Sequence, residues 1–198
     1  MALAAQPTQR AVVLTPENIL MCNTSNIDSM RHGRPQTVMF EAGEIAGNAL
    51  PNGTIVTLLE TKEEAGKEEL DHVHGIQVQE QTSVAGKFII ISPEINVEQY
   101  RRIDNMIAGH QLVAEETYTA YELVKGDRIE FSQGHLAVPG TLPIAGDLLN
   151  VDANGKLVAG GAALRVVSVR YQRLPLMMAV GGELMPEPIA MIKVEVVA

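Results

Sequence analysis

The residues best placed to do chemistry are two histidines one residue apart, in the stretch Asp71-His72-Val73-His74-Gly75. On an extended backbone alternate side chains project to one face, and two imidazoles there can grip one metal ion. Glu80 has the same parity and can join His72 and His74 in such a site. Ile76 and Val78 share that face, so the pattern also describes two imidazoles packed on a half-buried strand and hydrogen-bonded locally. Other chemistry has less to stand on. No phosphate loop, Gly-x-Ser-x-Gly elbow or dinucleotide fingerprint occurs, which removes the main support for NTPase, hydrolase and dehydrogenase readings. Cys22 is the only cysteine and has no neighbouring histidine, so neither an internal disulfide nor an activated thiolate is expected. The pairs Glu63-Glu64, Glu68-Glu69 and Glu115-Glu116 are adjacent in sequence, and adjacent residues point to opposite sides of a strand. They read as solvated surface.

The histidine stretch resembles the first motif of the cupins, with Gly66, His72, His74, Glu80 and Gly86 in the expected order. It departs from that motif in two spacings. Five residues separate His74 from Glu80, and five rather than six separate Glu80 from Gly86. A cupin's second motif carries a third histidine in a Pro-x-Gly-x-x-His context, and neither His110 nor His135 lies in one. A cupin-like metal-binding barrel, acting as an enzyme or a sugar binder through His72, His74 and Glu80, is therefore the alternative reading.

The elements that must position these residues read as strands. Thr54 to Leu59 follows the turn-forming Pro51-Asn52-Gly53, and Lys87 to Ser92 follows Gly86. Tyr121 to Val124 and Arg128 to Phe131 flank Lys125-Gly126-Asp127, a turn between strands. Asp147 to Val158 reads as a hairpin, because Asn154-Gly155 supplies positive φ angles at its turn. Leu164 to Tyr171 and Ile189 to Val197 complete the series. Short β-branched runs bounded by Gly and Pro predict an all-β barrel or sandwich. One short helix is expected after Ser92 or Asn96, with Tyr100, Ile103 and Ile107 on one face and Gly109 as its stop. Residues 1–36 lack any sustained period and form an N-terminal arm, faintly basic through Arg10, Arg31 and Arg34, ahead of a strongly acidic β-rich domain over 37–198. Such a segment is either a disordered tail or an extended arm that orders against a partner.

Composition narrows the function classes. The 198 residues suit one domain, or one with an arm, and at 46% hydrophobic the chain can build a packed core. Aromatic residues are 4%, with no Trp, which argues against stacking platforms for sugars or single-stranded nucleic acid. A formal charge of −9 repels phosphate backbones and anionic membranes. Arg101-Arg102 and the spaced Arg165, Arg170 and Arg173 are too sparse for a duplex-binding surface, and could equally pair with an acidic neighbouring subunit. The N-terminus has no apolar leader, and no stretch approaches a membrane span, so a soluble protein made in a reducing cytoplasm is expected.

From Ile95 to about Tyr171 the chain resembles the capsid decoration, or cement, proteins of tailed bacteriophages. The likeness is carried by Ile103-Asp104-Asn105, Ala108-Gly109, Ala120-Tyr121-Glu122-Leu123-Val124-Lys125-Gly126-Asp127, Ala145-Gly146-Asp147 and Val151-Asp152-Ala153-Asn154-Gly155-Lys156-Leu157. The resemblance implies a small β-barrel or tulip-like domain on the capsid exterior, trimeric at threefold positions and bound to the major capsid protein. It implies no active site and no cofactor, and a virion protein made in the host cytoplasm. That family has no fixed binding motif to transfer, so residues are assigned on physical grounds. An extended arm can add strand-like pairing to neighbouring subunits, which assigns lattice binding to Arg10, Val12, Val13, Leu14 and the stretch from Arg31 to Arg34. Met177 and Met178, in a proline-rich apolar stretch, are assigned to core filling or to a subunit contact.

Overall fold

The computed structural model of the chain describes residues 20, 22–26, 35–45, 49–61, 73–91, 111–172 and 188–198. These form thirteen strands: β1 (Cys22–Asn26), β2 (Gln36–Val38), β3 (Ala49–Pro51), β4 (Ile55–Thr61), β5 (Val73–Gln77), β6 (Phe88–Ile91), β7 (Gln111–Val113), β8 (Tyr118–Glu122), β9 (Arg128–Ser132), β10 (Leu148–Val151), β11 (Leu157–Ala159), β12 (Leu164–Gln172) and β13 (Ile189–Val196). The described helical structure is one 3-10 turn at Gln133–His135. The fold is all-β. Strands β2-β5-β4-β6-β8 close into a barrel, β1-β9-β13-β12-β10-β11 form a six-stranded sheet, and β3 pairs with β7. The helix expected after Ser92 falls outside the described residues, as does most of the arm. Within the arm, Cys22–Asn26 pairs antiparallel with β9, Cys22 opposite Phe131. That part of the arm is an edge strand of the body's own sheet.

The barrel and the sheet share one seam, and the seam explains why the barrel strands look apolar without interruption. Val56, Ile90 and Ala120 point into the barrel with Val38, Phe40, Ile76 and Tyr118. Their neighbours Ile55, Ile89 and Ile91 point out, against Ile129, Phe131, Leu149, Val166, Ile192 and Val194 of the sheet. A strand covered on both faces has no polar side to alternate with, so Phe88-Ile-Ile-Ile91 reads as a continuous apolar run. The barrel closes through β2, which runs parallel to β5 with Thr37 opposite Val73, and antiparallel to β8.

Turn chemistry sets the crossings. The Lys125-Gly126-Asp127 turn joins strands of different layers: β8 belongs to the barrel and β9 to the sheet. Asp127 fixes it by accepting the Val124 N–H at 2.8 Å, while the Gly126 N–H donates to the Val196 carbonyl at 2.9 Å. The β10–β11 hairpin forms where expected, with Val151 opposite Leu157. Only Gly155 has positive φ there, so the turn is a longer one organised by Asp152 rather than a two-residue Asn-Gly turn. The Asp152 carboxylate accepts the N–H groups of Asn154 and Lys156, each at 2.8 Å. Between β7 and β8, Glu115 adopts the left-handed region at φ 67° and donates its N–H to the Phe40 carbonyl. The Tyr118 hydroxyl braces that turn, accepting the Val113 N–H at 2.7 Å with Glu116 Oε2 at 3.0 Å as an acceptor.

Candidate functional site

His74 stands on β5, two residues before Ile76, which fills the barrel core. The opposite strand β4 has an irregular register between Leu58, paired with Ile76, and Thr61, paired with His74. A bulge leaves backbone groups outside the ladder. The half-buried His74 takes up one of them, with Nδ1 3.0 Å from the Leu59 carbonyl. A carbonyl only accepts, so Nδ1 is the N–H donor. Glu80 is exposed past the strand end, and His72 lies outside the described residues. Among the described residues no group of three or more His, Cys, Asp or Glu side chains is placed to hold a metal ion.

A second histidine, His135, occupies the seam. It is 2% exposed, and both ring nitrogens have partners: Nε2 lies 3.0 Å from the Asn52 carbonyl and Nδ1 3.3 Å from Ser132 Oγ. A carbonyl only accepts, so Nε2 carries the proton and Nδ1 accepts from the serine hydroxyl. Burial pushes its pKa down to about 4, opposed by hydrogen bonding to the backbone of Asn52 and of Ser132, and the Lys156 charge lowers it further. Lys156 donates from Nζ to the Gly134 carbonyl at 2.6 Å, and its own pKa is lowered by burial. The ring of Phe131 stands 5.2 Å from that of His135. The bond to Asn52 ties the Pro51-Asn52-Gly53 turn of the barrel to the sheet. Gly53, at φ 91°, is required there twice over, because a Cβ would sit 2.6 Å from Cys22 Cβ as well as demand a left-handed backbone. Burial in this corner pushes the Cys22 thiol up, the opposite of what a reactive thiolate needs.

One exposed surface is an apolar rim. Val138 and Ile144 are 62% and 71% exposed on the loop leaving the seam, and Leu148 and Val158 are exposed on the hairpin beside it. The loop is held to that hairpin by the Ala137 N–H on the Leu157 carbonyl at 2.8 Å, and to β12 by the Gly146 N–H on the Val166 carbonyl at 2.8 Å. Ile144 is fixed by its own N–H, donated to Asp147 Oδ2 at 2.9 Å. Residues 136–146 carry no charged side chain. The loop part of this rim is ordered and charge-free, so its exposed aliphatic side chains form an apolar surface.

The structure thus separates the sequence candidates. His74 and Glu80 are placed as above. Arg10, Val12, Val13, Leu14, Arg31, Arg34, Met177 and Met178 lie outside the described residues. The seam around His135 and the rim were not singled out from sequence. A histidine inside an uncharged stretch bounded by Gly134 and Leu136 is the one available hint of burial. No family model matches the chain, and neither curated proteins nor solved structures include a match. No helix among the described residues is long and apolar enough to cross a membrane.

Proposed function

We propose that this chain is a structural virion protein that binds the outer surface of a phage capsid and cements adjacent major capsid protein subunits. The observation that carries the reading is the rim. Its residues Ile144, Leu148 and Val158 border the two segments that resemble decoration proteins, Ala145-Gly146-Asp147 and Val151 to Leu157. The β10–β11 turn and the Asp147 turn hold that rim rigidly, so little conformational entropy is lost when it is covered. Many copies on one shell multiply modest contacts through effective concentration, and a ligand that prefers the assembled shell stabilises it by mass action. In this reading the arm, through Arg10 to Leu14 and Arg31 to Arg34, adds a second contact to neighbouring capsid subunits, and Met177 and Met178 contact a second copy.

Co-sedimentation of the purified chain with undecorated capsids tests the proposal, read as copies bound per capsid. Saturation at a fixed copy number is expected. A chain beginning at residue 20 keeps β1 in its sheet and isolates the Arg10 to Leu14 part of the arm, whereas Val138→Glu with Ile144→Glu isolates the rim by placing charge on an apolar contact. Loss of saturable binding in the rim variant supports the assignment. Absence of pelleting above background by the full chain overturns the cement reading.

A further inference from the structure

The outer face of the six-stranded sheet has a charge pattern opposite to that of the whole chain. Strand pairing places Arg128, Glu195 and Arg165 in one row across β9, β13 and β12, and Glu130, Lys193 and Ser168 in the next. Directly opposed residues point to the same side, so these side chains share the face turned away from the seam. Arg170, opposite Met191, reaches across β13 and binds Glu130 with Nε and Nη2 at 2.5 and 2.6 Å. Arg128 and Arg165 both bind Glu195, at 3.1 and 2.9 Å.

Four cations thus stand over two carboxylates, and the two signs are not equally visible from outside. The side chains of Glu130 and Glu195 are 11% and 18% exposed, whereas those of Arg128, Arg165 and Arg170 are 50%, 53% and 53% exposed. The carboxylates lie beneath and hold the guanidinium forks in place. The bonds engage Nε and Nη2 of Arg128, Nη2 of Arg165, and Nε and Nη2 of Arg170, which leaves Nη1 of each for an outside acceptor. Ordering three long side chains in advance removes much of the entropy cost of binding an anion.

The barrel shows the reverse. Glu60 on β4, Glu80 after β5, Glu115 and Glu116 in the β7–β8 turn, and Glu122 on β8 are exposed. The chain carries −9 overall, so what lies outside the cationic face is more acidic than the whole. A molecule with an acidic barrel and a cationic sheet face complements a second copy of itself, and its net charge repels a phosphate backbone. The same asymmetry selects the geometry. Two sheet faces brought together set cations against cations, so the contact must join unlike surfaces, and a contact of that type closes a ring or extends a filament.

We propose that the β9–β13–β12 face, through Arg128, Arg165, Arg170 and Lys193, docks exposed carboxylates on the barrel of a second copy in a head-to-tail contact. This inference does not depend on the capsid reading and is tested on the full chain alone. Sedimentation velocity at low salt is expected to show reversible self-association, weakened at least tenfold in about 0.5 M salt, where screening shortens to a few ångströms. Arg165→Gln, which leaves Glu195 with Arg128, and separately Glu80→Gln with Glu122→Gln, which touches only exposed barrel positions, are each expected to weaken association about tenfold, the scale of one lost charge contact. Carbodiimide coupling in a mixture of light and isotopically heavy chains is expected to join Lys193 of one copy to a barrel glutamate of another. A monomer under all conditions overturns the proposal. So does association indifferent to salt and to both variants, a cross-link pattern confined to one face, or binding of a DNA oligonucleotide by the sheet face in preference to a second copy. A monomer that still saturates capsids sinks this inference alone, and self-association without capsid binding sinks the cement reading alone.

Discussion

The two faces of the six-stranded sheet are built by alternate residues of the same strands, and they do opposite work. Toward the barrel, Ile129, Phe131, Val166, Ile192 and Val194 lie in a dry seam. Toward solvent, Arg128, Glu130, Arg165, Lys193 and Glu195 form a cross-strand lattice of opposite charges. The seam stabilises by area removed from water, about 25 cal/mol per Å², and one lost ring there opens a cavity. Pairs at the lattice are half-exposed, and such pairs contribute about 0–1 kcal/mol each. One face therefore decides whether the chain folds, and the other is free to decide what it meets. Substitutions on the two faces should separate the two roles.

The largest effect belongs to the seam. Phe131 is 1% exposed and packs where β1, the Gly53 turn and His135 meet. Phe131→Ala is expected to cost about 3–5 kcal/mol, read as a lowered urea midpoint at unchanged slope. A loss below about 1 kcal/mol would mean that the corner collapses around the missing ring and that the seam is not the element on which folding depends.

The next effect is acid sensitivity. His135 is neutral in the fold with its pKa pushed down to about 4, against an ordinary value of 6.5. The unfolded chain therefore binds more protons than the native one between those values, and stability rises with pH through that window. The contribution is fully present above about pH 6.5 and is lost as the pH falls toward 4, on the order of 3 kcal/mol in all. Lys156 on the adjoining hairpin adds a like charge and works in the same direction. His135→Gln, whose amide has a donor for the Asn52 carbonyl, is expected to flatten the stability profile between pH 6.5 and 4. A wild-type slope in that variant would assign the acid sensitivity to other groups.

How much of this was legible depended on whether the information was local. The β10–β11 hairpin announces itself through Asn154-Gly155, and β4 through the turn before it. Arg165 and Arg170 are also visible as spaced cations, although the register shift between Val166 and Ser168 interrupts the period of their strand. What hides is whatever needs a distant partner. Glu130 and Glu195 reach those arginines from strands 40 and 30 residues away. Barrel closure rests on the three-residue β2 finding β5 and β8, and so short a run carries no period to read. His135 sits in a 3-10 turn between strands, and its partner Asn52 is 83 residues distant. The histidines that drew attention in sequence were those with regular spacing, whereas the buried one had no pattern around it.

The smallest effect on stability is the most informative for the comparison. Arg165→Gln removes a guanidinium that is 53% exposed, and Glu195 keeps Arg128 at 3.1 Å, so no buried charge is left alone. The expected loss is within about 0.5 kcal/mol, with the urea midpoint nearly unmoved at moderate salt. The same substitution is expected to weaken self-association about tenfold, because at a contact the guanidinium is dehydrated and its remaining donors meet carboxylates rather than water. Arg128→Gln should behave alike by the symmetry of the row, and the pair together should cost more than either alone, since Glu195 then loses both partners. If Arg165→Gln instead lowers the midpoint as far as a seam substitution does, the outer lattice holds the sheet together, and the division of labour between the two faces fails.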